Sequence, residues 1–143
     1  MAPPLVGIHH LKFPVADIDS AFAWYVKVFG AKHLEHLDHF SNGKRYAVEL
    51  DLSFAIVELR LSPEQAQKEK KFDPVTFAVQ GKADLQQWEK WLDEQGVKHS
   101  PVLQGVVGWV LVFEDLDGRF LRLYTFDTHE KTDKPDQDAY WLG

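Results

Sequence analysis

The chain has 143 residues, enough for one domain of ordinary size or two small halves built around a shared sheet. It is 45% hydrophobic, with 5 Trp, 4 Tyr and 10 Phe, which is material for a packed core and leaves little room for disorder except at the ends. A formal charge of −6 with no cysteine excludes non-specific nucleic-acid binding, disulfides, thiolate nucleophiles and zinc–thiolate sites.

No apolar run approaches the roughly 18 residues of a membrane span, so no membrane partner is expected. The opening "MAPPLVG" lacks the basic and apolar regions of a signal peptide, so a cytoplasmic location is expected.

"GIHHLKFPV" (7–15) alternates as a half-buried strand, with Leu11, Phe13 and Val15 on one face and His10 and Lys12 on the other. "DIDSAFAWYVKVFG" then changes period: Ile18, Ala21, Phe22, Tyr25, Val28 and Phe29 follow helical spacing. Asp17 or Asp19 can cap this helix, and Gly30 suits its left-handed stop. "AKHLEHLDHF" is less cleanly patterned and falls where a strand is expected. On an edge strand, His36 would point away from His33 and His39, and the three would be surface histidines.

"SNGK" (41–44) carries the Asn-Gly of a hairpin turn, and "RYAVELDL" and "SFAIVELRL" read as strands. "SPEQAQKEKKF" is polar, with Ser62, Pro63 and Gln65 placed as the start of a short helix, and is the best internal boundary.

The order then repeats. "DPVTFAVQ" is a strand, "KADLQQWEKWLDEQG" a helix, "VKHSPVL" a strand and "GWVLVFEDLDGRFLRLYTF" a hairpin turning near Gly118. The polar tail ends in "AYWL", which is expected either to dock or to fray. "FPV" at 13–15 and "FAV" at 77–79 lie 64 residues apart, as do Trp24 and Trp88. The chain therefore reads as two copies of one strand–helix–strand–strand–strand unit. The first spans about 6–61 and the second about 73–126, with a connector at 62–72 and a tail at 127–143.

With its paired βαβββ units, its opening "HHLKFPVADIDSAFAWYVKVFGA" and its closing "FEDLDGRFLRLYTF", the chain resembles the vicinal oxygen chelate superfamily of glyoxalases, bleomycin-resistance proteins and dioxygenases. That resemblance implies an α+β fold: two tandem βαβββ modules in a curved eight-stranded mixed sheet with a concave ligand cleft. It also implies a homodimer and a small-molecule ligand. His10, Lys12, Glu58, Arg60, Thr76, Phe120, Arg122 and Tyr124 would face the cleft. Trp109 and Phe113, on the last hairpin, would join them if register allows.

Enzymes of this superfamily hold a divalent metal with side chains from four strands. His10 and Glu58 match the first-module positions. The second-module positions fall near Pro74, where only Asp73 or Thr76 could ligate, and on Arg122. A guanidinium cannot coordinate, and it repels a divalent ion by about 4 kcal/mol per unit charge at contact and an effective dielectric near 20. No cofactor is therefore expected, and Arg122 is expected to pair with Glu58.

Three readings stay open: a metal-independent small-molecule binder with an aromatic-lined cleft; a metal-dependent glyoxalase-like lyase, isomerase or dioxygenase using His10 and Glu58; and a structural or interaction module with a sealed cleft.

Overall fold

The computed structural model describes residues 1–136, so the late "AYWL" lies outside the described residues. The protein is α+β and carries two mixed sheets, of five and four strands. The chain divides into two compact units, Met1–Lys68 and Glu69–Gly143, and the boundary falls inside the polar connector. Among the described residues no helix is long and apolar enough to cross a membrane.

The first module runs β1 (Leu11–Val15), α1 (Ile18–Phe29), β2 (Lys32–His33), β3 (His39–Ser41), β4 (Lys44–Asp51), β5 (Ile56–Leu61) and α2 (Pro63–Lys68). Its strand order is β1-β5-β4-β2, with β3 also paired to β4. Asp17 caps α1 by accepting from the Ser20 amide at 2.8 Å, and Gly30 ends it at φ 64°. Strict alternation then sorts the sheet into two faces. Phe13, Leu59 and Val48 form one buried row across β1, β5 and β4. On that side Tyr25 of α1 lies 5.9 Å, ring to ring, from Phe13. Each such apolar side chain contributes about 1.5–3 kcal/mol on burial. The next row, Lys12, Glu58 and Glu49, points the other way.

The second module runs β6 (Thr76–Val79), α3 (Lys82–Glu94), β7 (Leu103–Gln104), β8 (Trp109–Glu114) and β9 (Phe120–Thr125), in the order β6-β9-β8-β7. The Asp84 side chain caps α3 from within by accepting from the Gly81 amide at 2.8 Å. Leu85 and Leu92 of α3 are fully buried, and Trp88 stacks on Phe113. The β8–β9 turn closes on Asp115, which accepts from the amides of Asp117 and Arg119 and from the Arg119 guanidinium at 2.6 Å.

Three expectations change. "AKHLEHLDHF" is not one edge strand: a 3₁₀ turn at Glu35–Leu37 separates β2 from β3, so parity carried from His33 to His39 does not hold. "VKHSPVL" pairs only through a His99–Phe113 bridge and the two-residue β7. Between them Pro101 has no amide to give a ladder, and the Ser100 hydroxyl accepts from the Val112 amide at 3.0 Å instead. Lastly, the His9–His10 doublet lies ahead of β1 and does not split across a sheet, and the two Nδ1 atoms are 2.9 Å apart in a hydrogen bond.

Candidate functional site

The polar face of the first-module sheet concentrates titratable side chains. Glu58 on β5 is only 2% exposed, and Glu49, its direct antiparallel partner on β4, is 7% exposed. Two carboxylates directly opposite each other repel, and burial penalises both. Burial first, then the hydrogen bond and charge of Glu58, push Glu49 up to about 7. Burial also opposes ionisation of Glu58, but hydrogen bonds with Glu49 and Arg60 hold its carboxyl below the usual range. One proton thus stays on the pair up to near neutrality, formally on Glu49.

The two oxygens of Glu58 have different surroundings. Oε2 accepts from Arg60 Nε at 2.8 Å, as residues i and i+2 on one strand face allow. Oε1 faces two imidazoles, His10 Nε2 at 3.9 Å and His39 Nδ1 at 3.8 Å, beyond hydrogen-bond length. His39 Nδ1 is buried with no hydrogen-bond partner. The His39 ring stacks on the Tyr46 ring at 5.7 Å, and the Arg60 guanidinium lies over the Tyr46 ring at 5.7 Å. A bulge brings Tyr46 here: His39 pairs with Ala47 and Phe40 with Arg45, which leaves Tyr46 as the extra residue on β4.

His10, Lys12, Glu58 and Arg60 all belong to the first module. Lys12 is the Cα partner of Glu58, and its charge favours ionisation of both carboxylates. Sequence reasoning missed His39, Tyr46 and Glu49. A signal for Glu49 was present: "VEL" occurs at 48–50 and again at 57–59, and a hairpin that pairs the two triplets must set Glu49 opposite Glu58.

The second module places its candidates on two faces. Thr76, Arg122, Tyr124 and Phe120 share one side by register, with Thr76 the Cα partner of Arg122. Trp109 and Phe113 fall on the other side, toward α3, which corrects the expectation that they line a cleft. Phe113 is fully buried against Trp88, and Lys82 of α3 lies over the Trp109 ring at 5.5 Å. Phe120 is buried with Leu103, Val110 and Val112, and Tyr124 packs against this group.

Each member of the expected Arg122–Glu58 pair has a partner inside its own module. Arg122 Nε donates to Asp73 Oδ2 at 2.6 Å, and Glu58 takes Arg60. The loop "GVVG" at 105–108 is tied down on both sides. The Tyr124 hydroxyl accepts from the Val107 and Gly108 amides, and the tail bonds back to the loop through the His129 and Thr132 amides. Gly108 is required there, because a Cβ would sit 2.7 Å from the Tyr124 ring.

A concavity of about 680 Å³ at the start of α1 is lined by Asp17, Asp19, Lys44 and Arg45, among others. Its charges are largely spent internally, since Arg45 bridges Asp19 and Asp38.

The model of the Glyoxalase/Bleomycin resistance protein/Dioxygenase superfamily matches residues 7–123. The chain belongs to that superfamily. No curated protein sequence matches it. Among solved structures, the fold is similar to a glyoxylase/bleomycin resistance protein/dioxygenase domain from Frankia sp. EAN1pec, at TM-score 0.69 and 22% identity over 85% of this chain and 93% of that one. It is also similar to a lactoylglutathione lyase from Agrobacterium tumefaciens, at TM-score 0.68 and 14% identity over 87% and 96%. A third is a point mutant of the fosfomycin resistance protein FosX from Listeria monocytogenes, complexed with Mn(II) and 1S,2S-dihydroxypropylphosphonic acid. It matches at TM-score 0.69 and 16% identity over 85% and 93%. At these identities the likeness shows the fold alone.

Of the four positions that the resemblance assigns to metal ligands, the residues present match two by donor chemistry. His10 and Glu58 offer two donors in the first module. In the second, Arg122 holds the last position and engages Asp73, the one carboxylate near the other. A permanently protonated guanidinium supplies no lone pair.

Proposed function

We propose that this superfamily member binds a small molecule through the polar face of its first-module sheet. We further propose that it does so without the two-module metal centre of the superfamily's enzymes. The observation that carries this reading is the Arg122–Asp73 pair, 2.6 Å long, which stands where the resemblance would put second-module metal ligands. The face offers a ligand three kinds of contact: the Glu58–Arg60 pair, the stacked His39 and Tyr46 rings, and the ammonium of Lys12. Planar or heterocyclic molecules carrying polar groups suit such a mixture of ring and charge. The homodimer implied by the resemblance is part of the same reading, and light scattering checks it.

Small molecules extracted from purified protein and identified by mass spectrometry give the ligand. Titration back into chelator-treated protein, followed by tryptophan fluorescence, gives its affinity. Binding unchanged by chelator, and weakened at least about tenfold by Arg60→Ala, is the expected result. Binding that appears only when a divalent cation is restored would overturn the reading.

The enzyme alternative keeps one observation in its favour: His10 Nε2 and Glu58 Oε1 still approach to 3.9 Å. Turnover of the extracted molecule that disappears in His10→Ala would establish it.

A further inference from the structure

We propose that the first module by itself holds one divalent transition-metal ion between His39 Nδ1, a carboxylate oxygen of Glu49 and Oε1 of Glu58. Only Glu58 is common to this set and the superfamily's own. The three donor atoms lie within 4.8 Å of one another, and this is the grouping of metal-ligating side chains found among the described residues.

Two features point to a cation at this place. The first is His39 Nδ1, buried and without a partner while aimed at Glu58 Oε1 3.8 Å away. A buried ring nitrogen left unsatisfied costs about 1–3 kcal/mol, and a coordinated ion removes that cost. The second is Glu49, 7% exposed and turned toward another carboxylate on the facing strand. A divalent ion between them would take the place of the proton the pair shares and offset the charge that its loss would leave.

The donors lie no more than 4.8 Å apart, so none has to draw in by more than roughly 1–2 Å. Metal–nitrogen and metal–oxygen bonds are about 2.0–2.2 Å, which sets neighbouring donors about 3.0–3.5 Å apart. The 3.8 Å gap between His39 Nδ1 and Glu58 Oε1 therefore closes by roughly half an ångström. Arg60 donates to Oε2 of Glu58, and Oε1 is the oxygen that faces the imidazoles. His10 Nε2, 3.9 Å from the same oxygen, stands ready as a fourth ligand. Its Nδ1 bonds to His9, which fixes the ring as an outer partner fixes a metal-bound histidine.

Mixed imidazole and carboxylate ligands suit Mn(II), Fe(II), Co(II), Ni(II) and Zn(II) better than Mg(II) or Ca(II). Lys12 and Arg60 stand nearby and moderate the affinity. Lys12 is exposed and can turn its ammonium toward water.

This site does not rest on the small-molecule reading. It is tested on protein already stripped of ligand and metal, so either reading can fail alone. Calorimetric titration of the full chain with Mn(II) or Zn(II) should find one ion per chain. His39→Ala and Glu49→Gln should each weaken it at least about tenfold, with circular dichroism in chelator unchanged. No uptake by the wild-type chain would overturn the proposal. So would wild-type affinity in both variants combined with loss in His10→Ala. Should Glu49→Gln not fold, the wild-type protein still decides. Substoichiometric Mn(II) must broaden the ring resonances of His39 and Tyr46 before others, and broadening centred elsewhere would refute the site.

Discussion

The same row of three strands can be followed in both modules. In the first, Lys12, Glu58 and Glu49 lie abreast on β1, β5 and β4. In the second, Thr76, Arg122 and Val112 lie abreast on β6, β9 and β8. The framework is shared, yet one row carries two buried carboxylates and the other a guanidinium beside a valine. The first row gathers polar partners around it, whereas in the second Val112 joins an apolar group with Leu103, Val110 and Phe120. Duplicated frames keep the helix-facing row, because packing density punishes change there. They diverge on the opposite face, where chemistry can be rewritten one side chain at a time.

The turns show the same divergence and give the largest expected effect. Asp51 accepts from the Ser53 amide at 2.7 Å, and 64 residues on Asp115 accepts from the Asp117 amide at 2.9 Å. Asp115 also holds Arg119, which is 0% exposed, whereas Asp51 is half-buried. Asp115→Ala takes the closer of two carboxylates from a buried cation, leaving Glu69 at 3.3 Å, and removes the acceptor of two amides; it should cost about 3–5 kcal/mol in denaturant unfolding. Asp51→Ala should cost only about 1 kcal/mol. Equal costs would mean that the two turns are energetically alike despite their different burial.

A smaller effect is expected at the Arg122 pair. Asp73→Ala leaves a half-buried guanidinium short of its carboxylate and should cost about 1–3 kcal/mol. Arg122→Met in the same chain should restore part of it, and a double-mutant cycle measures the coupling. No coupling would mean that the two side chains do not hold each other in place.

The smallest effect is a pH dependence confined to the second module. Burial opposes protonation of His99, but its hydrogen bonds to the Ser100 carbonyl and Asp93 prevail and raise its pKa above 6.5. A histidine raised in the folded state stabilises fully below its unfolded pKa. That contribution fades as pH rises through the folded value. Thermal melts across pH 6–9 should show this loss in the wild type and a smaller one in Asp93→Asn, with an amplitude below about 1 kcal/mol.

Much of the frame was legible as letters. "FPV" and "FAV", and Trp24 and Trp88, repeat at one interval because each pair occupies one place in one unit. The caps at Asp17 and Gly30 followed from local chemistry. The site was only half legible. Alternation placed Lys12, Glu58 and Arg60 correctly on one face, but it presumes an unbroken strand. The 3₁₀ turn and the bulge break that premise at His39 and Tyr46, and no local residue type announces either. Trp109 and Phe113 were misplaced for a related reason: which aromatic of a hairpin faces a helix depends on register, and register is set by pairing across the turn.

The supernumerary residue on β4 has a further consequence. A strand that kept perfect two-residue rhythm could present only every second side chain to the carboxylates. By slipping one residue out of step at Tyr46, the chain lets a phenol and an imidazole from neighbouring strands stack over the same acidic patch. An insertion of one amino acid, which leaves the hairpin below it intact, is thus a cheap evolutionary route to a new wall for a pocket.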